Sequence, residues 1–486
     1  MNMISLTFFV FVAALFFVLW LCGKTVKSET AYIKLFKTVM LCASYLFVIY
    51  ADVRFALVLF AMSTVTYLCA KAKNSTKIGV IFALLCLGYF KYTNFFITSF
   101  NDILGSEIGT LKVILPLGIS FYAFSAISYL VDVKRNKLQP AGFADVALYL
   151  SFFPKITSGP VQRGSDFLTQ INSRRNVGWD SFAVGIQIFA FGAFKKLVLA
   201  DRLSVFVNQV YDTPAVFSWV SVVLAVLSYS LQIYFDFSGY SDMAIGIARI
   251  FDIHLPKNFN LPYISRNVTE LWKRWHISLS SWLQEYLYIS LGGNRKGKMR
   301  TYINLVLTMV LGGVWHGASW NYILWGLLHG VALAVHKLWV SFTHSNAKEH
   351  SALANICSTA ATFVFVSFCW VFFRTETTGK AFDVLKQIFT LSSGVTHLYL
   401  WFFVAAAVLA ASTLAAKIKS RGSTVKENRR NTSAVDGFYP LLDLSKFWHL
   451  VAFFVLCGLI IGLCYTGGSP FIYGAYYAFA LKIIHK

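Results

Sequence analysis

Two histidines each directly follow a tryptophan, at 275–276 and at 315–316. His316 lies in LGGVWHGASW (311–320), beside Trp315 and fenced by Gly312, Gly313 and Gly317. His276 lies in RWHISLS (274–280). An imidazole titrates near pH 6.5, so a positioned histidine can take up and return a proton at neutral pH. The setting of His316 is the puzzle, because no Asp, Glu, Lys or Arg occurs from Tyr302 to Val335. As one helix those 34 residues would run about 51 Å, against a hydrocarbon core of about 30 Å. The chain must therefore break, and the glycine cluster is the natural place. Irregular backbone at membrane depth survives only where protein or a water-filled cavity surrounds it. Two readings stay open. His316 lines an internal chamber walled by Trp315 and Trp320, with glycines admitting a substrate, or it sits in a tight turn among the headgroups. His329 and His336, one heptad apart, read as packing or interface histidines.

Other residues raise the same question. In 266–300, Trp272, Trp275, Leu279, Trp282, Leu283 and Tyr286 recur at steps of three and four, which predicts one amphipathic helix along the membrane interface. His276 falls at the edge of that face, either solvated or functional. GGNRKGK (292–298) fits the spacing of a phosphate loop, but Met299 stands where Ser or Thr would bind magnesium and no strand precedes it. Nucleotide hydrolysis is rejected. Arg295, Lys296 and Lys298 remain candidates for holding an anion, a lipid phosphate or the phosphates of coenzyme A, or simply form a cytoplasmic basic loop. In YFDFSGYSD (234–242), Asp236 and Asp242 follow directly on an apolar run. Either Asp236 or Ser238 caps a new helix at the membrane surface, or the carboxylates face a cavity or a partner. Lys91 lies in an apolar run and can snorkel. Lys195 and Lys196 are placed near a helix end.

The elements that must carry these residues follow from composition. The chain has 486 residues, 57% hydrophobic and 13% charged, with a mean hydropathy of +0.62. That is too little charge for the surface of a soluble protein, so the class is an all-α polytopic membrane protein. Residues 4–22 predict a first transmembrane helix rather than a cleaved signal peptide. Apolar runs at 4–22, 35–50, 53–70, 78–99, 113–131, 182–200, 216–235, 302–317, 319–338, 356–373, 397–416 and 449–466 follow. The net charge of +22 sits mostly between these runs, as the positive-inside rule expects, and does not indicate nucleic acid. Lys24, Lys27, Lys34 and Lys37, then Lys71, Lys73 and Lys77, then Lys134, Arg135 and Lys137 mark alternate loops as cytoplasmic and put the N-terminus outside. Residues 417–430 read as a further cytoplasmic loop. Eight cysteines without a C-x-x-C pair argue against a disulfide framework or a zinc site. No repeat or long linker divides the chain. One domain over 1–486 is expected, with N-terminal spans (1–112), a core (113–330) and C-terminal spans (331–486).

Together the motifs resemble a known family. The run from Arg274 to Gly297 and GGVWHGASWNYILWG (312–326) are similar to the two signature regions of the membrane-bound O-acyltransferases, in the bacterial alginate O-acetylation branch. Residues 114–133, FFPKITSGPVQR (152–163), DFSGYSDMAIG (236–246) and PFIY (470–473) resemble that branch too. The resemblance implies a ring of roughly 11–13 transmembrane and re-entrant helices around a central tunnel. It implies transfer of an acetyl group from a cytoplasmic thioester, acetyl-CoA or another acyl thioester, across a bacterial inner membrane. The recipient is a partner acyltransferase outside, which modifies an exported polysaccharide. His316 is then the catalytic residue and His276 the second histidine. Trp315, Gly313, Gly317, Asp236, Asp242, Arg274 and Trp275 are the candidate tunnel lining. No bound cofactor or metal is implied. Lys155 and Thr157–Ser158 depart from a pattern that tends to be apolar there. D-alanyl transfer to teichoic acid, a lipid-linked sugar transporter and a structural scaffold are the rivals. Dependence on His316 separates the enzymes from the others.

Overall fold

The structure, a computed structural model, describes residues 3–343, 351–422 and 442–465 together with Gly467. PFIY (470–473) and much of the 417–430 loop lie outside the described residues. Among the described residues there are helices and no strand, only an isolated bridge between Phe217 and Val395. Nine of these helices are long and apolar enough to cross a membrane. The first three, Leu6–Thr25, Glu29–Ala51 and Val53–Lys71, follow one another closely. Polar side chains mark their joins. Ser28 accepts the Ala31 N–H, and Asp52 accepts the Arg54 N–H at 2.8 Å. The Asp52 N–H meanwhile closes the preceding helix on the Val48 carbonyl. Such caps satisfy N–H groups that the first helical turn leaves over, worth about 1 kcal/mol each.

The apolar run at 216–235 does not stop where the sequence turns polar. It is part of one 32-residue helix, Trp219–Ile250, with DFSGYSD inside it. Glycines explain how this helix packs. A Cβ on Gly239 would lie 2.7 Å from the Gly192 carbonyl, and one on Gly246 would lie 2.6 Å from that of Gly185. The helix therefore meets Trp179–Ala193 backbone to backbone, as small residues permit. Past Ala193 the chain widens into a π-helical turn, Phe194–Ala200, which buries Lys195 and Lys196 rather than leaving them near a helix end. Lys195 Nζ lies 2.8 Å from Asp242, and Lys196 Nζ lies 2.6 Å from Asp236 and 2.7 Å from Asp201. Asp236 and Asp242 are thus mid-helix carboxylates balanced by lysines, and neither caps a helix. Buried charges persist at membrane depth when paired in this way.

Two other expectations change. The 266–300 stretch is not one interfacial helix. It forms Val268–Arg274, breaks at Trp275–His276, resumes as Ile277–Trp282 and a π-helical Leu283–Tyr288, and ends in a glycine turn. Its aromatic face is buried in protein, with Trp275, Leu279, Trp282, Leu283 and Tyr286 all inaccessible. The uncharged stretch 302–335 does break, but only after His316. Lys298–His316 ends there, and the next helix begins at Trp320. Gly312 and Gly313 stay helical. A Cβ on Gly313 would sit 2.1 Å from the Tyr322 carbonyl, and one on Gly326 would sit 2.4 Å from that of Met309. These glycines close a helical hairpin rather than open space for a substrate.

Candidate active site

His316 is the last residue of its helix, because Gly317 leaves in an extended conformation. A helix end leaves its last four carbonyls without intrahelical partners. Two adjacent residues of the Thr76–Leu104 helix supply partners here. The Tyr92 hydroxyl donates to the Val314 carbonyl at 2.7 Å, and the Lys91 ammonium donates to the Trp315 carbonyl. Lys91 also approaches Ser120 Oγ at 3.4 Å and the Trp315 ring at 5.5 Å. A cation at a helix C-terminus is further favoured by the helix dipole. Lys91 does not snorkel; it clamps the turn that carries His316. Gly317 has its own reason, since a Cβ there would lie 2.3 Å from the Tyr322 ring.

His276 is placed by strain. Its backbone is left-handed, at φ 43° and ψ 52°. For an L-residue other than glycine that conformation costs about 1–2 kcal/mol. The irregular segment 253–261 holds it there. The Ile277 N–H donates to the Asn258 carbonyl at 2.8 Å, and the Asn260 N–H donates to the Arg274 carbonyl at 3.0 Å. The Asn258 amide donates to Ser241 Oγ at 3.0 Å, and the Ser278 hydroxyl donates to the Asn258 side-chain oxygen. Ser278 Oγ in turn accepts the Val161 N–H at 2.9 Å. Strain that the surroundings over-determine in this way clusters at functional sites.

The fold brings the two histidines to one aromatic wall. The Trp315 ring centroid lies 5.0 Å from that of His316 and 6.4 Å from that of His276. Both imidazoles are buried, His276 at 1% exposure and His316 at 6%. Phe124 stacks on both Trp282 at 3.9 Å and Trp315 at 5.0 Å between ring centroids, which helps to fix the indole. The ring centroids of Trp325 and Phe373 each stand 5.2 Å from that of His316, and the Phe237 centroid lies 4.6 Å from that of His276 with the rings nearly perpendicular. Phe121, 5.7 Å from Trp315, opens onto a cavity of about 10 Å³, lined also by Tyr122, Ser125 and Lys155. That is room for about one water. Buried Lys155 finds no hydrogen-bond acceptor among the described residues and lies over the rings of Tyr149 at 4.0 Å and Phe167 at 4.8 Å. The two imidazoles thus share one buried aromatic surface, and an imidazole is a group that can take up and return a proton near neutral pH.

The remaining candidates are distributed around this centre. Trp275 is buried beside His276 and packs on Phe259 and Trp370, 5.1 Å and 5.0 Å away. Arg274 is turned to Glu270, at 3.0 Å, and to the Asn260 carbonyl. Asp236 and Asp242 belong to the buried ion pairs, but Phe237, between them, carries that helix onto His276. Arg295 and Lys296 on the glycine turn and Lys298 at the start of the following helix are exposed, and no contact among the described residues joins them to either histidine. That turn leads back to Glu285, which pairs with Lys137 at 2.6 Å and Arg163 at 3.2 Å. Partial burial raises the Glu285 carboxyl, but the hydrogen bond from Lys137 and the charge of Arg163 outweigh it and hold the group below the usual carboxylate range. Among the described residues no group of three His, Cys, Asp or Glu is placed to hold a metal ion. Tyr92, Asn258, Ser278, Phe124, Trp325 and Phe373 escaped the sequence reading. Only Asn258, a polar residue between Pro256 and Pro262, carried a local signal.

A sequence profile of the membrane-bound O-acyltransferase family matches residues 9–374, which include both histidines. The chain belongs to this family. A peptidoglycan O-acetyltransferase of Helicobacter pylori is 42% identical over 342 residues, covering 65% of this chain and 64% of that protein. A probable alginate O-acetylase AlgI of Pseudomonas aeruginosa is 41% identical over 324 residues, covering 65% and 60%. A teichoic acid D-alanyltransferase of Streptococcus thermophilus is 28% identical over 246 residues, covering 48% and 59%. The chain thus spans less than two thirds of the length of each of these relatives. Family membership agrees with the helical scaffold of apolar, span-length helices described above.

Proposed function

We propose that this chain is a membrane O-acetyltransferase of a bacterial inner membrane. It takes an acetyl group from a cytoplasmic thioester, acetyl-CoA or another acyl thioester, and passes it across the membrane. The acetyl group then reaches an exported polysaccharide through an extracytoplasmic partner acyltransferase. The observation that carries the reading is the meeting of His276 and His316 around Trp315. In the proposed step an acceptor hydroxyl oxygen attacks the thioester carbonyl carbon, and His316 takes the hydroxyl proton. The C–S bond breaks, and the thiolate leaving group receives that proton from the imidazolium. A positioned base of this kind contributes on the order of 10²–10⁴ in rate. His276 orients the thioester or donates to its carbonyl oxygen as negative charge develops there. The higher identity to the two O-acetylating relatives than to the D-alanyl one favours acetyl as the group carried.

The test is ester-linked acetate on exported glycans, in cells with the native chain and with His316→Ala at matched membrane abundance. Loss of acetate in the variant alone supports the reading and identifies the glycan. Unchanged acetate refutes it. Loss of D-alanyl ester in its place moves the chain to the D-alanyl branch.

A further inference from the structure

The Leu6–Thr25 helix ends, and the Trp179–Ala193 helix begins, beside one another, each at the end of a candidate span. Between them lies a pocket of about 330 Å³, lined by Lys24, Arg174, Arg175 and Asp180 with Trp20 and Trp179. The lysines of the 24–37 stretch mark this membrane surface as cytoplasmic. The wall of the pocket is built. Arg174 Nη2 donates to the carbonyls of Gly23 at 3.1 Å and Val26 at 3.2 Å, and its guanidinium lies 4.5 Å over the Tyr32 ring. Arg175 Nη1 donates to the Asp252 carbonyl at 3.3 Å. A guanidinium has five N–H donors, and Nε and Nη1 of Arg174 donate to nothing else among the described residues. Lys24 has no ion-pair partner there. Three cations against Asp180 leave a formal charge of +2, and the start of Trp179–Ala193 adds the positive end of its dipole. Trp20 and Trp179 are both exposed, as indoles at headgroup depth are.

We propose that this pocket binds a phosphate group at the cytoplasmic membrane surface. The Arg174 fork and Lys24 grip its oxygens, and the two indoles flank it. An anionic phospholipid presents such a group, with its acyl chains against the exposed side of Leu6–Thr25, where Phe17 and Leu21 face outward. A soluble phosphate ester such as coenzyme A presents the same group. Neither Lys24 nor Asp180 touches the histidine site, so substituting either leaves the two imidazoles in place.

The experiment is native mass spectrometry of the full chain titrated with phosphatidylglycerol, phosphatidylcholine, coenzyme A or inorganic phosphate. It is run for the native chain, Lys24→Glu and Asp180→Asn. Both substituted side chains are exposed, and neither bears on packing. The expected result is retention of phosphatidylglycerol over phosphatidylcholine, weakened at least roughly fivefold by Lys24→Glu and strengthened by Asp180→Asn. If coenzyme A or inorganic phosphate shows that response and the lipids do not, the phosphate site stands and its source is soluble. If both variants bind all four probes as the native chain does, the proposal is overturned.

Discussion

Lys91 and Tyr92 offer the sharpest test of how the His316 turn is held. Replacing Lys91 by Met keeps the bulk of the stem and removes the ammonium that the Trp315 carbonyl accepts from. A hydrogen bond to a charged group contributes about 1.5–3 kcal/mol, and a buried acceptor left unpaired forfeits a similar amount. Replacing Tyr92 by Phe removes one neutral hydrogen bond to the Val314 carbonyl, about 0.5–1.5 kcal/mol. If that energy holds the imidazole in register with its substrates, each 1.4 kcal/mol lost is about tenfold in turnover. Lys91→Met is then expected to lower kcat by roughly 10- to 100-fold and Tyr92→Phe by roughly 3- to 10-fold. KM for the thioester stays near native. The assay is thiol release from acetyl-CoA per mole of folded protein in nanodiscs, alongside the melting temperature. Lys91→Arg restores a cationic donor and recovers part of the loss, which a purely structural defect would not reproduce in kcat alone. Native kcat in Lys91→Met at unchanged stability would refute the clamp.

Three further outcomes follow from the same geometry. His276→Asn keeps a residue that tolerates the left-handed backbone but removes the imidazole. It should fold like the native chain and lose less turnover than His316→Ala in the glycan acetate assay, whereas equal loss would make the histidines a shared catalytic pair. Asp242→Asn removes the carboxylate charge that faces the buried ammonium of Lys195 and should destabilise by about 3–5 kcal/mol, with the Lys195→Met, Asp242→Leu double variant recovering most of it. Thermal unfolding in detergent reads both, and additive losses would show that the pair does not interact. Glu285→Gln frees Lys137 and Arg163. The folded carboxyl is depressed, so its stabilisation is fully present above the ordinary glutamate value of about 4.3 and is lost as pH falls through the folded value. The melting-point gap between native and Glu285→Gln should be full at neutral pH and close in acid; a gap that persists in acid would contradict this.

Much was legible from residue types alone. Hydropathy defines a membrane protein because lipid admits only backbone that satisfies its own hydrogen bonds. Length forces the break between Tyr302 and Val335, and a histidine in that run singles itself out. The ordered motifs around His276 and His316 carried the family. Tertiary structure decided the rest, because sequence periodicity reports an apolar face without saying what covers it. The aromatic side of 266–300 reads as interfacial, yet Trp275 and Trp282 are buried in protein, and the strained turn at His276 exists only because Asn258 and Ser278 hold it. Whether Asp236 and Asp242 stand at a helix start or in the interior is open in the sequence, until Lys195 and Lys196 arrive through a π-helical turn that no local pattern marks. Gly312 and Gly313 suggest a break, but a glycine also permits close packing, and Tyr322 occupies the space beside Gly313. Lys91 and Trp315 are separated by 224 residues, and only packing could tell that one holds the other's carbonyl. A residue's type limits the interactions it can make; the neighbour that folding delivers selects among them.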